Sequence, residues 1–146
     1  MSLDGTYDHD NVFAKILRGD MPSVRVFEDD HVYAFLDVFP QGRGHTLVIP
    51  KHSTARNLLE EEPEKLAAVM LGAQRVARAV RAALNPDGIM IFQTNGAPAG
   101  QTVFHLHVHV LPRWDGDGPL GKHASGKMAD MEELKALAAQ IAAKIS

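Results

Sequence analysis

Three histidines alternate with apolar residues in one short segment, and this segment constrains the fold more than any other part of the chain. Residues 104–111 carry His105, His107 and His109, with Leu or Val between them. Side chains alternate across a β-strand, so a strand here places three imidazoles in one row. Three histidines buried without a role would each lose solvation or charge. The sequence therefore predicts a strand over residues 103–111 whose histidine row has a chemical function.

Elsewhere the chain combines short strand patterns with helical patterns. Apolar or β-branched runs bounded by turn residues predict four further strands, at residues 24–27, 32–36, 46–49 and 89–92. Apolar residues at helical spacing predict a short first helix closed by Gly19, a long helix over residues 63–84, and a C-terminal helix capped by Asp130. Because only the long helix leaves room for a crossover, the sequence predicts an α+β fold with a mostly antiparallel sheet of about five strands.

Length and composition set the domain count and exclude several classes of protein. A chain of 146 residues has the size of one domain. Within residues 1–146, we expect residues 1–10 to be flexible and residues 127–146 to form a helical extension. The 15 Lys and Arg residues, against 18 Asp and Glu residues, leave no broad basic surface for a nucleic acid. Because no long apolar segment is present to enter a membrane, a cytoplasmic location is expected.

A row of imidazoles could hold a metal ion, because imidazole is a common zinc ligand. Successive residues on one face of a strand lie about 6.6 Å apart, so His105 and His109 would be about 13 Å apart, too far to share one ion with bonds of about 2 Å. A metal would need a ligand from elsewhere, such as His45 or His52. The sequence therefore predicts no metal site and no other cofactor.

The same row suits chemistry at a phosphoryl group, whose oxygens point in several directions. A neutral imidazole can attack phosphorus with one nitrogen while its second, protonated nitrogen is held by an acceptor that fixes the tautomer. His107, with a histidine on each side, is the candidate nucleophile. The cationic adduct is a good leaving group, so water can complete the reaction in a second step.

Polar residues near the row could complete such a site, although each has a plainer interpretation. The glycine-containing loop at residues 95–100 is either a turn or a backbone cradle for an anion. Gln101 and Thr102 could lie beside the leaving group. His45 follows a glycine-rich turn and is either a phosphate donor or a surface residue. Asp37 closes an apolar strand, where it either forms a turn or accepts the two ribose hydroxyls.

The histidine segment also matches a known signature, in which histidines and hydrophobic residues alternate and a hydrophobic pair ends the run. Further matches lie at residues 16–23, 35–37 and 44–51, and at Asn95 with residues 100–102. Together these segments resemble the nucleotide-binding, phosphoramidase-like branch of the histidine triad (HIT) family, in its bacterial form.

This resemblance implies a single HIT-like domain, a homodimer with a joined antiparallel sheet, and a purine nucleotide as substrate. The reaction would be hydrolysis of nucleoside 5′-phosphoramidates, such as adenosine 5′-monophosphoramidate, to the nucleoside monophosphate. It would proceed through a covalent nucleotidyl-histidine intermediate and would require no metal. Two alternatives remain open: hydrolysis of dinucleoside polyphosphates, as elsewhere in the superfamily, and nucleotide sensing with slow turnover.

The resemblance also assigns roles to individual residues. It implies that His107 is the nucleophile and that His105 supports it. His109 and His45 would contact phosphate, and Asp37 would hold the ribose. The phosphate and leaving-group end would be lined by Asn95, Gly100, Gln101 and Thr102. The base pocket would consist of seven apolar residues: Val12, Phe13, Ile16, Phe35, Leu36, Val38 and Leu47.

Two features depart from the family pattern. Bacterial relatives often carry a Cys-x-x-Cys pair that binds structural zinc, whereas this chain has no cysteine and has Asn-Val-Phe-Ala at residues 11–14. We therefore expect no structural zinc. Thr102, which the resemblance includes in the catalytic set, stands where many relatives have Ser. The hydroxyl is retained, so we expect catalysis to survive with an altered preference for the leaving group.

Overall fold

Five strands and three α-helices form in residues 2–120 and 127–146, the part of the chain that the computed structural model describes. The strands are β1 (Arg25–Glu28), β2 (Val32–Leu36), β3 (Thr46–Pro50), β4 (Gly88–Phe92) and β5 (Val108–Arg113). The helices are α1 (Val12–Leu17), α2 (Pro63–Leu84) and α3 (Met131–Ala142). Single 3₁₀ turns lie at Leu58–Glu60 and Ala97–Ala99. Neighbouring strands are antiparallel, in the order β1-β2-β3-β5-β4, which confirms the predicted α+β class and sheet.

The helices follow the local signals in the sequence. Asn11 caps α1 by accepting a hydrogen bond from the N–H of Ala14 at 3.0 Å. Asp130 caps α3 in the same way, accepting from the N–H of Glu132 at 3.0 Å. Among the described residues, no helix combines the length and the apolar character that crossing a bilayer requires.

Strand β5 begins later than the sequence predicts. The alternation predicted a strand over residues 103–111, but the ladder with β3 starts only at Val108. β3 ends at Pro50, which has no N–H to donate to the ladder. The N–H of Leu106 donates instead to the carbonyl of Ala55, at 3.0 Å. The predicted start was therefore wrong, and only the last of the three histidines lies within β5.

Helices α2 and α3 cover one face of the sheet. Val69 of α2 packs in the main core with Val108 and Val110 of β5. Gly72 allows α2 to approach closely, because a Cβ atom at this position would lie 2.9 Å from Cγ2 of Val32. The apolar residues that alternate with the histidines are thus fixed in the core, which turns the histidines towards the other face.

The opposite face of the sheet carries α1. Phe13 of α1 packs there with Phe35, Leu47 and Ile49 in a second, smaller cluster. Leu47 of β3 is the register partner of His109, so the cluster and this histidine lie on the same face. Helix α1 therefore packs on the same face of the sheet as the histidines.

Residues 2–10 make specific contacts, although the sequence suggests a loose segment; Met1 lies outside the described residues. The carbonyls of Ser2 and Leu3 accept hydrogen bonds from the side chains of Arg56 and Asn57, at 3.3 and 3.0 Å. These contacts hold the segment against the body of the domain. The flexibility of residues 1–10 stays a prediction.

Candidate active site

The three histidines of the row are buried beneath α1. Their exposed fractions are 0% for His105 and 2% for both His107 and His109. The ring centroids of His107 and His109 are 5.0 Å apart, and His109 stacks on Phe92 of β4 at 4.1 Å. Burial of three imidazoles is costly unless each is hydrogen-bonded, so the partners of each ring decide what the row can do.

His107 is held in a single tautomer by its neighbour's backbone. Its Nδ1 lies 2.7 Å from the carbonyl oxygen of His105, and because a carbonyl can only accept, Nδ1 carries the proton. In the neutral ring the lone pair is then on Nε2, the state that a nucleophile requires. Phe13 meets the ring edge-on, with centroids 5.0 Å apart, which restricts how the imidazole can turn.

His45 and His109 form a directed pair. The backbone N–H of Gln41 donates to Nδ1 of His45 at 3.1 Å, so the proton of a neutral His45 is on Nε2. That Nε2 lies 2.9 Å from Nδ1 of His109, which accepts and leaves the proton of His109 on its own Nε2. His45 is 1% exposed, so the surface interpretation of this residue was wrong. The pair presents an N–H donor from His109.

His105 is buried between two hydrogen-bonding partners. Its Nε2 lies 3.1 Å from the carbonyl of Pro50, and its Nδ1 lies 2.6 Å from the hydroxyl of Tyr7. Burial lowers the pKa of His105 from 6.5 to about 4, outweighing the opposite effect of the bond to Pro50. The ring is therefore neutral near pH 7. Tyr7 was not predicted from the sequence, where its only signal was an aromatic residue in a polar segment.

An apolar cavity of about 240 Å³ lies beside the row, between α1 and the sheet. It is lined by all seven residues of the predicted base pocket: Val12, Phe13, Ile16, Phe35, Leu36, Val38 and Leu47. Asp37 and Thr102 also line it. Five further lining residues were not predicted from the sequence: Met21, Pro22, Ser23, Phe39 and Val103. Three of these lie within residues 16–23, a segment that carried the family resemblance and was therefore a usable signal.

Asp37 lies between this cavity and the histidine pair. One carboxylate oxygen, Oδ1, accepts from the N–H of Phe39 at 2.9 Å, which is the turn-forming bond that was one of its two interpretations. The other oxygen, Oδ2, is 3.7 Å from Nδ1 of His45. The carboxylate is 6% exposed and lines the cavity as well, so the turn bond does not exclude a role towards a ligand.

The loop before the histidines uses its backbone donors within the protein. Each N–H group from residue 96 to residue 101 has a protein acceptor, apart from Pro98, which has no N–H. Two of the acceptors are side chains: Gly96 donates to Gln101 Oε1 and Ala97 donates to Ser2 Oγ. The other acceptors are backbone carbonyls: Ala99 and Gln101 donate to Gly96, and Gly100 donates to Ala97. The structure therefore supports the interpretation of this loop as a turn. An anion would have to break these bonds to be cradled by the backbone.

The amide side chains at the two ends of the loop brace it. Gln101 is 2% exposed, and its Nε2 donates to the carbonyls of Arg56 and Val103 at 2.7 and 3.0 Å. Asn95 accepts from the N–H of Leu58 at 2.9 Å through its Oδ1. Asn95 also exchanges hydrogen bonds with the side chain of Gln93. Both residues were predicted to line the phosphate end, and both are engaged in positioning the loop.

Of His45 and His52, the two further residues that could have completed a metal site, only His45 lies beside the histidine row. His45 bonds to His109, whereas His52 is exposed. Within residues 2–120 and 127–146, no group of three or more His, Cys, Asp or Glu side chains is placed to hold a metal ion.

Comparisons with known proteins agree with the fold and with the histidine segment. The sequence profile of the HIT domain matches residues 18–116. The chain is 40% identical over 139 residues to Protein hit of Bacillus subtilis, which covers 92% of this chain and 94% of that protein. It is 38% identical over 113 residues to adenylylsulfatase HINT3 of Arabidopsis thaliana, which covers 77% of this chain and 56% of the plant protein.

A solved structure of a related protein also matches the fold of this chain. The crystal structure of a Hit-like protein from Bartonella henselae has a TM-score of 0.89 to this chain, at 44% sequence identity. The match covers 97% of this chain and 100% of the Bartonella chain. The similarity therefore extends over nearly the whole domain and is not limited to one motif.

Proposed function

Because the chain belongs to the HIT domain family, we propose that it binds a purine nucleotide and hydrolyses nucleoside 5′-phosphoramidates to the nucleoside monophosphate. The observation that carries this proposal is the hydrogen bond from Nδ1 of the buried His107 to the carbonyl of His105, which leaves the lone pair of the neutral ring on Nε2. The Arabidopsis relative named adenylylsulfatase supports a hydrolase of adenylyl compounds.

The cavity has the size and the lining for a nucleobase. At about 240 Å³ it is smaller than the pockets of roughly 300–1,000 Å³ that enclose whole drug-sized ligands, so a base would fill it and leave the phosphate outside. Phe13 lines the cavity and also touches the ring of His107, so a base held there has its phosphate near the row. Asp37, at the edge of the cavity, would accept hydrogen bonds from the ribose hydroxyls.

The first step is attack of His107 Nε2 on the α-phosphorus. A bond forms between phosphorus and Nε2, the bond between phosphorus and the amine nitrogen breaks, and the amine leaves with a proton from solvent. The adduct is a cationic imidazole whose Nδ1–H still donates to the carbonyl of His105. His109, with its proton on Nε2, would donate to a phosphate oxygen as charge develops there.

The second step is hydrolysis of the adduct. Water attacks phosphorus, the bond to Nε2 breaks, and the water's extra proton returns to solvent, replacing the one taken by the amine. His107 is thereby restored as a neutral ring with its proton on Nδ1. The burial of His105, which lowers its pKa to about 4, keeps a second positive charge out of the row while the adduct is cationic.

Turnover of two substrates tests the proposal. The specificity constant, kcat/KM, is measured for adenosine 5′-monophosphoramidate and for a diadenosine polyphosphate. We expect a clear preference for the phosphoramidate, and a protein quenched during turnover should carry one nucleotidyl group on His107. A preference for the polyphosphate would favour the dinucleoside polyphosphate hydrolase. Tight AMP binding with negligible turnover of either compound would favour a nucleotide sensor.

The proposal includes independence from metal ions and other cofactors, as well as a cytoplasmic location. The chelator EDTA should leave kcat/KM for the phosphoramidate unchanged. Stoichiometric zinc that is required for turnover would contradict this part of the proposal.

A homodimer belongs to the same proposal. Among the described strands, β4 has a neighbour on one side only, and its residues Met90 and Ile91 are 40% and 41% exposed. On α2, Met70 and Leu71 are also exposed. An exposed apolar edge strand is usually covered, and pairing two β4 edges would join two sheets. Met90→Lys should halve the mass measured by light scattering, whereas Leu59→Lys, at an exposed position outside β4, should not. A wild-type monomer would contradict the dimer.

A further inference from the structure

We propose that Tyr7 is a positioning residue for the nucleophile: its hydroxyl fixes the ring of His105, whose backbone carbonyl in turn orients His107. This inference rests on the proposed function, because it concerns the same reaction. It assigns a role to the segment before α1, which neither the histidine signature nor the matched HIT domain region, residues 18–116, includes.

The direction of each hydrogen bond follows from the acceptor at the far end. The carbonyl of Pro50 can only accept, so Nε2 of His105 carries the proton and donates to it at 3.1 Å. In the neutral ring, Nδ1 is then an acceptor, and Tyr7 must donate to it across 2.6 Å. Burial raises the pKa of the Tyr7 phenol, which keeps its hydroxyl protonated and able to donate.

Together, Tyr7 and Pro50 hold both ring nitrogens of His105, and the backbone of His105 connects this ring to His107. The carbonyl of His105 accepts from Nδ1 of His107 at 2.7 Å, which is the bond that keeps the lone pair of His107 on Nε2. Without the Tyr7 hydroxyl, the Nδ1 of a ring that is 0% exposed loses its donor. The ring is then held by its bond to Pro50 alone and can pivot about it, so the carbonyl that orients the nucleophile is less well fixed.

Tyr7 itself is held in place from both sides. Before it, the carbonyl of Leu3 accepts from the side chain of Asn57 at 3.0 Å. After it, the ring of His9 meets the tyrosine ring edge-on, at 5.0 Å between centroids. A hydroxyl on a segment fixed at these points can serve as a defined donor and not merely as a chance contact.

The test compares Tyr7→Phe with Tyr33→Phe, which removes the hydroxyl of the only other tyrosine in the chain. The Tyr33 hydroxyl lies 2.6 Å from Ser23 Oγ, so the control also loses one side-chain hydrogen bond. Rates of adenosine 5′-monophosphoramidate hydrolysis are expressed per AMP-binding site, which removes any effect of unfolded protein. For Tyr7→Phe we expect kcat to fall about tenfold with KM within about twofold; for Tyr33→Phe we expect no change in kcat.

Ring ¹⁵N chemical shifts supply a readout that a purely structural role would not move. In the wild type, we expect His105 to be protonated on Nε2 and His107 on Nδ1. In Tyr7→Phe, the ring ¹⁵N signals of both residues should shift and broaden, because His105 can pivot and the hydrogen bond that its carbonyl accepts from His107 weakens. An unchanged kcat would overturn the proposal, and so would a lower kcat with unchanged ¹⁵N patterns, since Tyr7 would then only anchor its segment. If the wild type does not hydrolyse the phosphoramidate, the proposed function fails, and the ¹⁵N patterns alone decide whether Tyr7 orients the row.

Discussion

The histidine row and the loop at residues 96–101 adjoin one another in sequence, yet hydrogen bonding has opposite consequences in the two. In the row, bonds to carbonyls and to the Gln41 N–H decide which nitrogen of each ring carries the proton, and so they define an acceptor on His107 and a donor on His109. In the loop, bonds within the protein use the backbone donors. Glycine content alone therefore does not identify an anion site, because the partners of the N–H groups decide it.

The largest expected effect is at the nucleophile. His107→Ala should lower kcat by at least about 10³-fold, because the covalent step is lost, while AMP affinity stays within about threefold. His31→Ala, an exposed histidine on the turn between β1 and β2, should leave both unchanged. The rates come from phosphoramidate hydrolysis and the affinities from AMP titration. Activity retained in His107→Ala would remove the distinction between the row and the loop.

A substitution in the loop at residues 96–101 should change the stability of the protein. Gln101→Ala leaves the N–H of Gly96 and the carbonyls of Arg56 and Val103 without a buried partner, so the free energy of unfolding should fall by about 2–3 kcal/mol. Urea denaturation measures this loss. Gln74→Ala, at an exposed position of α2, serves as the matched control and should change stability by less than about 0.5 kcal/mol. A Gln101→Ala variant as stable as the control would mean that the loop does not depend on its brace.

The row should also make stability depend on pH, through His105. The pKa of this ring is lowered from 6.5 to about 4 in the folded state, so between these pH values the unfolded chain binds a proton that the folded chain does not. Its contribution is complete above pH 6.5 and is lost as the pH falls towards 4. Between pH 7 and pH 5 the free energy of unfolding should decrease by about 2 kcal/mol more in the wild type than in His105→Gln. Equal decreases in urea denaturation would show that His105 is not held neutral by burial.

Local signals in the sequence were sufficient where the structure is determined locally. Pro63 at the first position of α2 and the turn sequence Asn-Pro-Asp-Gly at residues 85–88 predicted both ends of that helix. Asn85 adopts the left-handed conformation that is common at the end of a helix. The base pocket was different, because the family resemblance and not the apolar spacing assigned its seven residues, all of which line the cavity. Alternation in residues 104–111 located the histidines on one side of the chain.

What the sequence could not supply depends on partners that are distant along the chain. The late start of β5 follows from Pro50, which is far from it in sequence and cannot donate to the ladder. The N–H of Ala97 finds its acceptor in Ser2, a contact that no periodicity encodes. Tyr7 and His105 are likewise joined only by the fold. Motifs therefore located the histidines, and tertiary contacts determined which nitrogen of each ring carries the proton.

The smallest expected effect separates the two interpretations of the loop glycines. Gly100 has φ of +107°, and a Cβ atom added there would meet only Cγ2 of Thr94, at 3.9 Å, so Gly100→Ala adds backbone strain without a clash. The free energy of unfolding should fall by about 1 kcal/mol, with AMP affinity changed less than about twofold. Gly88→Ala, with open space and no positive φ, should cost nothing in the same urea experiment. If Gly100→Ala weakens AMP binding while stability is unchanged, the loop is a ligand cradle, and its internal hydrogen bonds must open when nucleotide binds.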